Sequence, residues 1–137
     1  MKIEQKRVNF TDDRGTIMDI IVDRPFDHCA IIYSKKGSVR ANHYHKESIQ
    51  SDFIVSGKML IFSRKMGSDV IEEHVANAND LVEYETGEAH EFIALEDLVF
   101  VTIVKGPRGG GNYENDTFRL ATPLHEEKGR SLESILK

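Results

Sequence analysis

The stretch GSVRANHYHKESIQSDFIVSG, residues 37–57, carries the most informative pattern of the chain. His43 and His45 are two residues apart in a segment of extended character, so we expect their imidazoles on the same face of a strand. Such a pair can bind one metal ion, or it can present two proton-transfer groups to one substrate. Residues typical of β-strands continue to Gly57, which with Gly37 brackets the stretch.

The rest of the chain repeats this β pattern. About ten short strands are predicted at intervals of roughly 8–12 residues, a spacing typical of a β-sandwich or barrel. They cover Met1–Phe10, Thr16–Val22, Cys29–Tyr33, Val39–His45, Ile49–Val55, Met59–Ser63, Val70–Val75, Leu81–Tyr84, His90–Leu95 and Leu98–Val104. A short C-terminal helix over Leu132–Lys137 is predicted with Ser131 as its N-cap. The glycine-rich segment Pro107–Gly111 is interpreted as a turn or a lid over a pocket mouth.

Length, charge and cysteine usage limit the class of protein. The 137 residues predict a single domain, 1–137, with a core barrel over about 10–120 and a tail over 121–137. A net charge of −5 argues against nucleic acid as a general partner. The single cysteine, Cys29, excludes an intrachain disulfide, fits a reducing cytoplasm and is predicted to be buried in a strand. No apolar stretch could span a membrane and Met1–Phe10 lacks the apolar run of a secretory signal, so we expect a cytoplasmic protein.

Spacing beyond His45 adds a second level of detail. The stretch reads G-x5-H-x-H-x4-Q-x6-G, and a second block, ETGEAH, follows at residues 85–90. These blocks resemble the two motifs of the cupin superfamily, whose members are small jelly-roll barrels with a metal or substrate site inside. Two departures are visible: Gln50 replaces the usual Glu of the first motif, and Glu85 replaces the usual Pro of the second. The resemblance implies an all-β fold with a single cupin jelly-roll β-barrel.

The resemblance also implies a set of metal ligands, namely His43, His45, Gln50 and His90. Three neutral imidazoles and an amide oxygen suit Zn²⁺, Fe²⁺, Ni²⁺ or Cu²⁺, and these residue types do not choose among the ions. Because Gln supplies only a dipole, the set contains no anionic ligand. Two alternatives stay open: Gln50 hydrogen-bonds a neighbouring histidine and fixes its tautomer, and the site works without metal. The remaining histidines fit no such spacing and are predicted to be ordinary exposed or loop residues: His28, His74 and His125.

Within the superfamily, three segments are similar to one branch, the sugar-nucleotide epimerases and ketoisomerases of polysaccharide biosynthesis, which includes dTDP-4-dehydrorhamnose epimerase. These segments are the DDRG turn at residues 12–15, RANH at 40–43 and YENDTFR at 113–119. Residues 36–45 also resemble the cupin domain of bifunctional enzymes that make N-acetylfucosamine precursors for capsules. The resemblance implies a small enzyme that isomerises or epimerises a nucleotide-linked keto sugar.

Carried over position by position, the resemblance gives roles to individual residues. It implies that His43 is the catalytic base, that Arg40 contacts the diphosphate, and that Arg14 reaches a nucleotide in the neighbouring subunit of a homodimer with exchanged N-terminal strands. A histidine suits proton abstraction next to a carbonyl, because its pKa lies near neutrality. Arginine suits diphosphate because its guanidinium binds oxygens bidentately. The general acid is unassigned, and the available tyrosines are Tyr33, Tyr84 and Tyr113.

Two other functions compete with the isomerase. An Fe²⁺-dependent dioxygenase needs only three histidines and open coordination positions. It predicts a mostly apolar pocket and gives no role to Arg14 or Arg40. A non-catalytic metal- or sugar-binding cupin predicts that ligand binding survives the loss of His43.

Overall fold

Two antiparallel five-stranded sheets and a small hairpin make up the fold of this computed structural model, which describes residues 1–106 and 115–137. The first sheet has the order β1-β9-β6-β11-β4, the second the order β12-β5-β10-β7-β8, and β2 and β3 form the hairpin. The elements are β1 (Lys2–Gln5), β2 (Phe10–Asp12), β3 (Gly15–Ile17), β4 (His28–Ser34), β5 (Val39–Tyr44), β6 (Ile49–Ser56), β7 (Lys58–Arg64), β8 (Glu72–Asn77), β9 (Asp80–Glu83), β10 (Ala89–Ala94), β11 (Leu98–Lys105), β12 (Phe118–Arg119), α1 (Leu124–Glu127) and α2 (Leu132–Ile135).

A hydrophobic core joins the facing sides of the two sheets. Ile54 of β6 and Phe100 of β11 come from the first sheet, and Ile61 of β7 and Phe92 of β10 come from the second. All four belong to one cluster, and Ile54, Ile61 and Phe100 have no exposed surface. The predicted all-β jelly-roll fold is therefore confirmed.

The strands β7 and β10 of the second sheet are buried on both of their faces. Nearly all of their side chains are buried, because those that face outward are also covered. Leu60, Phe62 and Ile93 form a second cluster with Leu124 of α1, and apolar side chains of α2 pack against it. The C-terminal segment therefore lies on the outer face of this sheet.

The helices differ in how well the sequence predicts them. α2 is confirmed at Leu132–Ile135, and the Ser131 hydroxyl accepts a hydrogen bond from the Ser134 backbone N–H at 3.2 Å. The helix α1 was not predicted, because its single turn of four residues is too short to show a 3.6-residue period. It follows Pro123, and its first turn carries two acidic residues, which are the signals that mark its start.

Several local predictions were wrong. The N-terminal alternation is interrupted after Gln5, and the strand predicted over Thr16–Val22 ends at Ile17. Cys29 is exposed, because it lies on the outward side of β4. His28 is half-buried at the start of the same strand, whereas His74 is exposed as predicted. The Pro107–Gly111 prediction lies outside the described residues.

His125 also departs from its prediction, because it is buried rather than exposed. Its side chain is 4% exposed and packs against Glu91, which has no exposed surface. The Nδ1 atom of His125 lies 2.9 Å from Glu91 Oε1, and the His125 backbone N–H donates to the same oxygen at 3.0 Å. Glu91 points away from the sheet interface, so this pair attaches α1 to the outer face of β10.

Gly57 fixes the turn between β6 and β7. Its φ of +91° lies in the left-handed region. A Cβ there would stand 2.3 Å from the carbonyl oxygen of Asp97 and 2.9 Å from Leu98 Cα. Only glycine fits at position 57, so steric crowding explains the glycine at the end of the stretch 37–57.

In the described part of the chain, no helix has both the length and the apolar character needed to cross a membrane. The single-domain boundaries, 1–137, stay a prediction.

Candidate functional site

A cavity of about 160 Å³ opens between the two sheets beside β5. Its polar lining includes both histidines of the HxH pair, Gln50, and two arginines, one from β5 and one from β12. Its apolar lining comes from both sheets: Ile32, Ala41, Phe92 and Phe100. The HxH pair therefore faces an internal cavity, with cations beside it.

A β-bulge in β5 sets which side chains reach this cavity. His90 pairs with His43, but Glu91 pairs with Ala41, so Asn42 is an extra residue in the strand. Ala41 and Asn42 have φ values of 68° and 60°, in the left-handed region that non-glycine residues rarely adopt. The extra residue reverses the alternation, and Arg40 lines the same cavity as His43, three positions later.

The C-terminal segment holds the bulge in place. The Asn42 carboxamide donates to the carbonyl of Thr122 at 3.3 Å and accepts from the N–H of Leu124 at 3.0 Å. The Leu120 N–H donates to the Asn42 carbonyl at 3.0 Å. These bonds offset part of the conformational cost, which is about 1–2 kcal/mol for each left-handed residue.

Three imidazoles converge at one end of the cavity. The ring centroid of His43 lies 4.7 Å from that of His45 and 4.8 Å from that of His90. One ligand atom from each histidine lies within 4.8 Å of the others. His45 and His90 are buried, whereas His43 is only half-buried. His43 is thus the member of the cluster that the cavity exposes most.

His90 is held in one tautomer. Its Nδ1 lies 3.1 Å from the backbone carbonyl of Glu88, which can only accept, so Nδ1 carries the hydrogen. Burial, followed by the charges of His43 and His45, holds the pKa of His90 well below its usual value. Its Nε2 is buried and has no hydrogen-bond partner among residues 1–106 and 115–137. A neutral ring therefore presents an unused lone pair inside the protein.

His45 connects the cluster to Gln50. The Nε2 atom of His45 lies 3.1 Å from Gln50 Oε1, and its Nδ1 lies 2.8 Å from the backbone carbonyl of Asp116. The Gln50 amide in turn donates to both carboxylate oxygens of Asp52, at 3.1 and 3.0 Å. Gln50 thus hydrogen-bonds a neighbouring histidine, one of the two roles expected for it. The predicted ligand set contains no anion, but the Asp52 carboxylate stands directly behind Gln50.

Asp116 organises the loop between β5 and β6. Its carboxylate accepts the backbone N–H groups of Lys46, Glu47 and Ser48 at 3.0, 3.0 and 2.6 Å. Burial raises the pKa of Asp116, but these three donors together bring it below its usual value. Because the carbonyl of the same residue accepts from His45, Asp116 positions both the loop and the ring.

The two predicted substrate-binding arginines are in different places. Arg40 lies at the cavity, where its guanidinium donates to the Ser34 hydroxyl at 2.6 Å and the Tyr33 carbonyl at 3.2 Å. Arg14 lies on the β2–β3 hairpin, 83% exposed, and does not line the cavity. It pairs with Asp12 at 2.6 Å and holds the pKa of that carboxyl below its usual value.

Two of the three tyrosines considered as acids, Tyr33 and Tyr84, do not line the described cavity. Tyr33 points outward and is 68% exposed. Tyr84 is buried and stacks on His90 with centroids 4.3 Å apart. Burial, then the Asp52 carboxylate, raises the pKa of Tyr84 well above its usual value. Tyr113 lies outside the described residues.

The donor set fits a divalent transition metal. The buried, unpartnered Nε2 of His90 faces two further imidazoles, and the amide oxygen of Gln50 lies beside His45. Imidazole nitrogens and a neutral oxygen are ligands that Zn²⁺, Fe²⁺, Ni²⁺ and Cu²⁺ accept. The residues that would hold the ion are the predicted ones, His43, His45, Gln50 and His90.

Three functional-looking residues received no role of their own in the sequence reasoning. Arg119 lines the cavity and pairs with His43 across the β12–β5 ladder. Asp52 gave a signal, since it follows Gln50 by two positions and so shares its strand face. Asp116 and Arg119 lie in the segment 113–119 that is similar to the ketoisomerases, but the role of Asp116 stayed hidden because its contacts span 68 to 70 positions of sequence.

A second, larger cavity of about 430 Å³ lies on the outer side of β5 and β7. Tyr44, Lys46 and Lys65 line it, and none of the described histidines does. Size alone would favour it, but His43 and His45 line the smaller cavity.

Comparison with known proteins now identifies the family. Residues 10–118 match the model of the polysaccharide biosynthesis C-terminal domain. The chain belongs to this family. No curated protein sequence matches it.

Solved structures extend the comparison. The capsular polysaccharide assembling protein CapF from Staphylococcus aureus matches with 26% identity and a TM-score of 0.63 over 85% of this chain, which spans only 33% of CapF. The 3,5-epimerase RmlC from Legionella pneumophila, in complex with dTDP-4-keto-L-rhamnose, matches with 15% identity and a TM-score of 0.71, covering 91% of this chain and 74% of that one. The 3,4-ketoisomerase QdtA from Thermoanaerobacterium thermosaccharolyticum, in complex with TDP, matches with 15% identity and a TM-score of 0.71, covering 93% of this chain and 94% of that one. The predicted resemblance to the cupins of polysaccharide biosynthesis is confirmed.

The Asp116 carboxylate accepts three backbone N–H groups of the loop between β5 and β6, an arrangement we call the Asp116 clamp. The clamp predicts that part of the folding stability is lost in acid. Because the folded-state pKa is lowered, the Asp116 contribution to stability is present above its unfolded pKa of about 3.9 and is lost as pH falls through the folded value. We expect Asp116→Asn to lower the free energy of unfolding by about 1–2 kcal/mol at pH 7, with the difference shrinking towards pH 3. Urea denaturation at pH 7, 5, 4 and 3 measures this.

A matched control is Asp69→Asn, which removes the same charge from an exposed loop. It should change the free energy of unfolding by less than about 0.5 kcal/mol at each pH. An Asp116→Asn deficit that does not shrink in acid would contradict the clamp.

Proposed function

We propose that this protein isomerises or epimerises a nucleotide-linked keto sugar in polysaccharide biosynthesis, by removing a proton next to a carbonyl. The observation that carries the proposal is the half-buried His43, which faces a cavity together with Arg40 while two buried imidazoles stand behind it. Membership of the polysaccharide biosynthesis family supports the substrate class. The fold shared with RmlC and QdtA supports the same reading.

His43 is the catalytic base of the proposal. It reaches the cavity, whereas His45 and His90 are buried. An imidazole near neutral pH takes a proton from the carbon next to a ketone and returns it at the same or a neighbouring carbon. The backbone pairing of His43 with Arg119 and the bulge before it fix the face of β5 from which the ring projects.

Arg40 binds the diphosphate in this proposal. The hydrogen bonds it makes go to neutral oxygens, so its charge is available for an anion. The cavity of about 160 Å³ is smaller than the 300–1,000 Å³ typical of sites that enclose a whole ligand. Only the sugar ring enters it, and the nucleotide lies outside.

A divalent metal fits the same site, held by His43, His45, Gln50 and His90. Because a His43 ring bound to the ion has no lone pair left for the proton, His43 is either a ligand or the base, and an ion that acts together with His43 as base would be held by the other three residues. When bound it would act as a Lewis acid that stabilises the negative oxygen formed as the proton leaves. In its absence, Arg40 and a protonated imidazole supply positive charge to that oxygen.

The competing dioxygenase reading is less well supported. It predicts a mostly apolar pocket, whereas two arginines and a threonine pair line this one: Arg40, Arg119, Thr102 and Thr117. Charged groups beside the histidines suit an anionic sugar nucleotide better.

The homodimer belongs to the same proposal. β4 is the last strand of the first sheet, and it exposes Ile31 by 52% and Tyr33 by 68% on its outward side. Such an edge with apolar side chains favours pairing with a second copy. In the dimer, the exposed Arg14 would reach the nucleotide bound by the other subunit.

The central test is solvent deuterium incorporation into a panel of nucleotide 4-keto sugars, followed by mass spectrometry. Wild-type protein should exchange the hydrogen next to the carbonyl of one of them. His43→Ala should slow that exchange roughly 100- to 10,000-fold, because the base is gone. Elemental analysis and a chelator-treated sample show whether exchange needs metal.

His74→Ala is the matched control, since it removes an exposed histidine from β8. It should exchange at the wild-type rate. If metal-replete wild type exchanges no sugar of the panel, the isomerase proposal is wrong.

The dimer has its own prediction. Sedimentation equilibrium should give the mass of a dimer for wild type and of a monomer for Ile31→Asp, because burying an unpaired charge at the centre of the interface is unfavourable in free energy. Val75→Asp places the same charge at an exposed apolar position of β8 and should stay dimeric. A monomeric wild type, or equal effects of the two variants, would refute this interface.

A further inference from the structure

A chain of three buried polar side chains runs from the histidine cluster into the protein interior. It consists of His45, Gln50 and Asp52, which are 5%, 7% and 0% exposed. The Gln50 oxygen faces His45 Nε2 at 3.1 Å, and the Gln50 nitrogen faces both oxygens of Asp52. Asp52 does not line the cavity, so it touches no substrate.

We propose that Asp52 is a positioning residue, which fixes the Gln50 amide with its oxygen directed at His45. A carboxylate only accepts hydrogen bonds, so the amide NH₂ must face it. The flipped amide would set its carbonyl oxygen against the carboxylate and leave the NH₂ facing the imidazoles. In a buried site, an amide oxygen held against a carboxylate is unfavourable enough to leave one orientation populated.

The Gln50 oxygen has a role whether or not the site holds a metal ion. Without metal, it accepts a hydrogen bond from His45 Nε2 when the ring carries a proton on both nitrogens, because Nδ1 already donates to the Asp116 carbonyl. With metal, the same oxygen would be a ligand next to His45 Nε2, from which it lies 3.1 Å. Asp52 thus determines that Gln50 offers an acceptor oxygen rather than a donor nitrogen. The inference rests on the proposed histidine site but not on the proposed reaction.

A simpler role for Asp52 is a buried negative charge that acts directly on the histidines. The two roles differ in whether Gln50 is needed. If Asp52 acts by positioning, its substitution matters only while the Gln50 amide is present. If it acts by charge, the effect persists after Gln50 is replaced.

The first test uses NMR of ¹⁵N-labelled, metal-free protein at one fixed pH, and so requires neither a known ligand nor activity. Gln50→Leu assigns the Gln50 amide signals. In wild type, these NH₂ protons should exchange slowly with solvent, and the His45 ring nitrogens should show one protonation state. Asp52→Asn, whose side chain can present either an oxygen or an NH₂, should speed the amide exchange at least tenfold and shift the His45 nitrogen signals.

The second test measures Zn²⁺ affinity by competition with a chelating dye, in a double-mutant cycle. Asp52→Asn should weaken binding about 10- to 100-fold in the Gln50 background, the usual effect of losing a group that orients a ligand. In the Gln50→Leu background the same substitution should change affinity less than about twofold. Asp80→Asn is the matched control, since it makes the same substitution at another buried carboxylate, one that bonds the Asn77 N–H and does not line the cavity, and it should leave Zn²⁺ affinity unchanged.

Each outcome decides the matter. Unchanged Gln50 and His45 signals in Asp52→Asn would overturn the proposal. An equal loss of Zn²⁺ affinity in both backgrounds would assign Asp52 a direct charge effect instead. If wild type binds no Zn²⁺, the NMR arm alone decides. If Asp52→Asn does not fold, Asp52→Ser gives the same comparison. Because no readout depends on turnover, the isomerase proposal can fail while this one holds.

Discussion

One extra residue in β5 determines the composition of the site. In a regular strand Arg40 and His43 would point to opposite faces, because side chains alternate with a period of two. The bulge at Asn42 reverses the alternation and brings the guanidinium and the imidazole to one cavity. Two consecutive left-handed residues make this conformation costly, and hydrogen bonds from the C-terminal segment hold it.

The C-terminal segment therefore has a second role beyond covering the outer face of the second sheet. The Leu124 side chain belongs to the outer hydrophobic cluster, and the N–H of the same residue donates a hydrogen bond to the Asn42 side chain. The buried His125–Glu91 pair attaches the helix to β10, one residue from His90. Packing on one side of the sheet thus supports the geometry of the imidazoles on the other side. Backbone strain at a functional site is maintained here by contacts made elsewhere.

Fixed hydrogen-bond acceptors surround the histidine cluster. The carbonyls of Glu88 and Asp116 each face one Nδ1 atom, and the Gln50 oxygen faces His45 Nε2. These acceptors orient the rings before any ligand arrives, so little reorganisation is needed when charge develops. His43, the half-buried member, is left to face the cavity.

Sequence reasoning placed His43 and His45 on one strand face from their local spacing, and the resemblance to the two cupin motifs added Gln50 and His90. It also found the all-β fold, since alternation and turns are short-range signals. Arg119 and Asp116 depended on pairings distant in sequence, and the contribution of Arg40 depended on a bulge that alternation alone does not reveal. Cys29 and His125 were misplaced for a related reason. An apolar strand residue can face outward at a sheet edge, and a polar one can be buried when a distant carboxylate pairs with it.

The most direct measurement of the central claim is a crystal structure of the protein with a non-reactive analogue of a nucleoside diphosphate 4-keto sugar. The account predicts the sugar ring in the cavity, with the carbon next to the carbonyl about 3–3.5 Å from a ring nitrogen of His43. It also predicts the diphosphate at Arg40. A ligand seated instead in the larger cavity beside Tyr44, Lys46 and Lys65, with no contact to His43, would contradict it.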